Sequence, residues 1–125
     1  MQRASSGSPF EASIGFSRAV RVGNRILVSG TAPIEPDGSS TVGDAGVQTT
    51  RCLDVIVAAV EQLGGTVNDI VRTRVFLLDA AEAGLIGAVP DTRIRLPTRT
   101  AREKPIDASN GEPDDARCMV KRASP

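Results

Sequence analysis

Residue types that commonly do chemistry are scarce in this chain. Its 125 residues include no His, Trp or Tyr, and two cysteines, Cys52 and Cys118. Without a histidine to activate it, Cys52 reads as helix packing rather than as a nucleophile. The two thiols stand at no metal-ligand spacing, and the carboxylates or further thiolates that a zinc site would need are not clustered with them. No metal and no cofactor is expected. Asp37-Gly38 is turn chemistry, because the remaining ligands of a calcium loop are absent. Gly64-Gly65 ends a helical pattern instead of opening one, the reverse of a phosphate-binding loop. That leaves arginine, whose planar fork suits a carboxylate. Arg72 and Arg74 alternate along an apolar run, as a clamp for an anion or as the solvated side of a strand. Arg102 is a further candidate anchor, in a stretch with no period. Ser29, at the end of another apolar run, could hold a ligand carboxylate through its hydroxyl or satisfy nearby backbone.

Composition narrows the partners. The 15 basic and 15 acidic residues cancel, which argues against nucleic acid or an anionic membrane. Phe10, Phe16 and Phe76 are the only aromatics, too few for a base-stacking platform. No run approaches the ~18 apolar residues of a membrane span, and residues 1–8 do not read as a signal peptide. Free thiols in a reducing cytoplasm are preferred to a disulfide, one cysteine lying in a helical pattern and the other in a polar tail.

The elements that would position these groups follow from periodicity. Residues 1–12, rich in Ser, Gly and Pro, read as a flexible lead-in. Residues 17–22 alternate small or apolar with polar residues, Gly23-Asn24 is turn chemistry, and residues 25–30 form a second apolar run; together they predict a β-hairpin. Residues 33–46 carry prolines and glycines and read as a long loop, a place where function often resides. Leu53, Ile56, Val57, Val60 and Leu63 make one apolar stripe and predict a helix, stopped by Gly64-Gly65. Residues 70–78, rich in β-branched residues, predict a strand. Residues 80–89 are a weaker helix, interrupted by Gly84 and Gly87. The result is an α+β domain, a sheet with helices packed on one face, over residues 13–89. Residues 90–125 are charged, proline-bearing and aperiodic, and read as an irregular tail.

The order of these segments resembles the RidA (YjgF/UK114) family over residues 14–89. Gly15-Phe16-Ser17-Arg18-Ala19-Val20, Val22-Gly23-Asn24 and Val28-Ser29-Gly30-Thr31-Ala32-Pro33-Ile34 are similar to that family's opening hairpin. Gln48 to Leu53 with Leu63-Gly64-Gly65 is similar to its first helix, and Asn68 to Leu77 to its central strand. The resemblance implies a chorismate-mutase-like fold and a homotrimer with ligand clefts between subunits. It implies hydrolysis of reactive imines and enamines of the 2-aminoacrylate type to a ketoacid and ammonia. By the same resemblance Phe16, Ser29 and Gly30 line the cleft and bind a small carboxylate or imine. The family's Arg-Pro-Ala arginine and its closing-strand glutamate have no counterpart here, since no Arg-Pro pair occurs in the chain. No catalytic residue carries over, which leaves two alternatives to the enzyme: a non-catalytic carboxylate-binding or scaffold member, or an inactive, incomplete one.

The departure of the tail has its own reading. Shifted by one base from Thr92 onward, the codon junctions permit a His-Glu-Phe-Gly-like run, then Arg-Pro-Ala-Thr, and Met119/Val120 fixes a Trp. Such runs are similar to the family's own C-terminal segment, so a frameshift is one source of the tail. Loss of a C-terminal half-site in the lineage is the other.

Overall fold

The computed structural model describes residues 1–87, residue 89 and the backbone of residues 117–119. Three antiparallel strands form the main sheet in the order β1 (Gln2–Ala4), β2 (Ala19–Val22), β3 (Arg25–Val28). Helix α1 (Pro9–Ile14) links β1 to β2, and the long helix α2 (Ala45–Gln62) covers one face of the sheet. β4 (Arg74–Phe76) pairs in parallel with β5 (Arg117–Met119) as a separate ribbon, and the short α3 (Ala83–Gly87) follows β4.

The register explains how α2 comes to lie close to the sheet. Ala4, Ala19 and Val28 stand side by side across the three strands, and all three are buried. Small residues in that row leave room for Cys52, Ile56, Ala59, Val60 and Leu63 of the helix, with which they form one core cluster. A second cluster joins Leu53 and Val57 to Val67, Ile70 and Val89. The alternate strand residues Val20, Val22 and Leu27 face away from the helix, and Val22 and Leu27 are exposed.

Both ends of α2 are capped. The Asp44 carboxylate accepts from the Val47 N–H at 3.0 Å, the usual N-cap bond. At the other end Gly64 takes φ +76°, and the N–H of Gly65 donates to the Val60 carbonyl at 3.0 Å, the Schellman arrangement. Arg21 of β2 donates to the Leu63 carbonyl at 2.7 Å, which ties the hairpin to the helix terminus. Gly23 turns the hairpin at φ +60°, with no positive φ at Asn24, as in a type II′ turn.

The structure corrects three expectations. Residues 1–12 are not a flexible lead-in: Gln2–Ala4 is an edge strand and Pro9–Ile14 a helix, with Ala4 and Glu11 buried. The strand expected over residues 70–78 shrinks to Arg74–Phe76, because strand pairing reaches only as far as a three-residue partner. That partner, Arg117–Met119, lies in the segment read as irregular. The other residues between 90 and 125, with the frameshift reading that concerns them, lie outside the described residues.

Candidate functional site

The loop after β3 is folded on itself. Glu35 N–H donates to the Ser39 carbonyl at 2.8 Å and Thr41 N–H to the Pro33 carbonyl at 2.8 Å, around Gly38 at φ +86°. Arg51 of α2 fastens this small hairpin, its Nε donating to the Ile34 carbonyl at 2.9 Å. The Thr41 hydroxyl donates to Glu35 Oε1 at 2.6 Å, which fixes that carboxylate.

On the other side, the segment before α1 is held by charge. Glu11 accepts from the Ser5 hydroxyl at 2.5 Å, from the Ser6 N–H at 2.9 Å and from the Ser6 hydroxyl. Arg18 Nε lies 3.5 Å from Glu11 Oε1. Arg18 Nη1 donates to the Gly30 carbonyl at 2.9 Å and to Thr31 Oγ1 at 3.0 Å, and its guanidinium sits 5.0 Å from the centre of the Phe16 ring. Burial pushes the Glu11 carboxyl up, but the Ser5 and Ser6 hydrogen bonds and the Arg18 charge outweigh it and hold it below the ordinary value.

Between these two braces lies a cavity of about 300 Å³. Phe10, Ile14, Phe16, Ile34 and Val55 supply its apolar wall. Arg18, Arg51 and Glu35 supply charge, and Gly30 and Thr31 bring backbone to its edge. Such a site suits a small ligand with one anionic end and an apolar remainder.

The residues singled out in the sequence scatter. Phe16 and Gly30 line the cavity. The Ser29 hydroxyl donates to the Ser17 carbonyl at 2.7 Å, bracing the strand end, and is not among the lining residues. Arg72 is exposed and Arg74 half-buried on β4, and neither lines the cavity. Cys52 is buried with Sγ 3.5 Å from the Thr31 carbonyl, in the core cluster. Arg102 lies outside the described residues. Sequence reasoning missed Arg18 and Arg51. Arg51 stands one helical turn before Val55, and that pair marks a second face of α2; Arg18 gave no comparable signal. Among the described residues no three His, Cys, Asp or Glu gather as a metal site, and no helix is long and apolar enough to cross a membrane.

The profile of the Endoribonuclease L-PSP family, the YjgF/RidA family, matches residues 7–108. The chain belongs to that family. The match starts earlier and ends later than the resemblance read from the sequence. An uncharacterized protein of Streptomyces coelicolor is 36% identical over 87 residues, 70% of this chain and 65% of its own length. The 2-iminobutanoate/2-iminopropanoate deaminase of Escherichia coli is 36% identical over 78 residues, 62% of this chain and 61% of its own. This chain thus spans less than two-thirds of the length of these relatives. Among solved structures, a YjgF/YER057c/UK114-family protein of Mycobacterium tuberculosis matches with TM-score 0.62 and 27% identity, covering 98% of this chain and 86% of that one. RidA from an Antarctic Psychrobacter matches with TM-score 0.60 and 25% identity, covering 99% and 87%. The fold is therefore the α+β fold of the RidA/YjgF proteins.

Proposed function

We propose that the cavity beside Phe16 hydrolyses small 2-imino acids. The observation that carries this reading is an apolar cavity with arginine at its edge, bounded by Phe16 and Gly30. In the reaction, water adds to the C=N carbon, the carbon–nitrogen bond of the resulting carbinolamine breaks, and a 2-oxo acid and ammonia leave. No metal or covalent nucleophile is needed; a fixed carboxylate and a positioned water suffice. Glu35 is the one carboxylate among the lining residues and is suited to hold that water. The name of the Escherichia coli relative supports the substrate class. The test is to generate 2-iminobutanoate enzymatically in the presence of the purified chain. Ketoacid release above the spontaneous rate is expected; release at the background rate rejects the enzyme.

A second reading is a binding member that holds small carboxylates without turning them over. The missing Arg-Pro arginine favours it. Binding of 2-oxobutanoate without imine hydrolysis would select it.

Assembly as a homotrimer belongs to the same proposal, with a cytoplasmic setting. Val22 and Leu27 present apolar surface on the sheet face opposite α2, a face that subunits could share. Leu27→Glu is expected to convert a trimer to monomers by light scattering; a wild-type monomer rejects the assembly.

A further inference from the structure

We infer that Arg51 is the carboxylate anchor of the cavity, and that the site selects monocarboxylates with a short apolar side chain. The inference rests on the ligand class proposed above, and it assigns that role to a residue from a different element than the missing Arg-Pro arginine.

Two guanidinium groups border the cavity, and their surroundings separate them. Arg18 is occupied. Its side chain is 7% exposed, its Nε faces Glu11, and its Nη1 already serves Gly30 and Thr31. It props up the wall. Arg51 is different: its side chain is 28% exposed. The Nε side is oriented, with the Ile34 carbonyl at 2.9 Å and Glu35 Oε2 at 3.7 Å. Its two Nη groups have no protein partner among the described residues. A guanidinium fixed along one edge and open along the other is ready for bidentate contact with a carboxylate.

The rest of the ligand then meets Ile14, Phe16, Ile34 and Val55. A second carboxylate would find no cation there that is not already engaged, and burying it unpaired is costly. Glu35 beside Arg51 adds repulsion against a dianion. Short aliphatic 2-oxo and 2-imino acids fit these conditions, and dicarboxylates do not.

The experiment is titration of the full chain with sodium 2-oxobutanoate by calorimetry, beside 2-oxoglutarate as the dianion. Wild type is expected to bind 2-oxobutanoate and to bind 2-oxoglutarate more weakly. Arg51→Gln should weaken 2-oxobutanoate binding about ten-fold or more, with Arg51→Lys between the two. Glu35→Gln should tighten the same binding by removing a competing negative charge. Unchanged affinity in a folded Arg51→Gln chain overturns the anchor. Should that variant not fold, unchanged affinity in both Arg51→Lys and Glu35→Gln overturns it instead. Binding that depends on Arg51 without imine hydrolysis keeps the anchor and rejects the enzyme. Hydrolysis with a KM indifferent to Arg51 keeps the enzyme and rejects the anchor. Neither binding nor hydrolysis rejects both.

Discussion

The chain up to Leu63 and the stretch from Thr66 to Gly87 are built on different terms. In the first, eight buried residues from three strands and the long helix interlock in a single cluster. In the second no described residue is buried, although residues 70–78 are the most β-prone run of the sequence. Intrinsic preference does not make a strand without a partner, and Val71, at 96% exposure, shows the result. Stability in this molecule is concentrated where helix and hairpin meet, and the cavity is placed against that firm region.

Three substitutions probe this contrast. Ile56→Ala, in the main cluster at 4% exposure, should cost about 2–5 kcal/mol, read from the urea midpoint. A loss below 1 kcal/mol would break the contrast, because it would mean that the cluster does not hold the domain. Next comes Glu11, whose carboxyl lies below its ordinary value in the folded chain. Its contribution is full above the ordinary glutamate range, about pH 4.3, and is lost as the pH falls through the lowered folded value. Thermal midpoints should therefore fall on acidification, and Glu11→Gln should flatten that part of the profile; an equally steep profile in the variant would remove Glu11 from the account. Val71→Ser should be smallest, within about 0.5 kcal/mol. A larger loss would show that the second stretch is packed in solution as firmly as the first.

Legibility in the sequence follows the same division. The α2 stripe from Leu53 to Leu63 could be read because a 3.6-residue period repeats over several turns, and Gly64 marks its end. The hairpin could be read because Gly23 falls between two alternating runs. β1 could not, because its one buried side chain is Ala4 and its anchor is a polar network on Glu11; neither leaves a hydrophobic period. The site divides likewise. Phe16 and Gly30 were singled out through motif order and line the cavity, whereas Arg18 and Arg51 were not singled out, since a charged residue at a cavity looks in sequence like one at the surface. Ser29 shows the converse: a hydroxyl at a strand end, engaged by the backbone of Ser17.

The edge strand β1 also bears on access. Ser6, Ser8 and Phe10 of the segment that follows it lie along the cavity wall, and Arg18 N–H donates to the Ala4 carbonyl at 3.0 Å. Displacing β1 would take Ala4 out of the main core cluster as well as loosen that covering. One wall of the cavity is thus only as firm as the seating of a three-residue edge strand in the sheet.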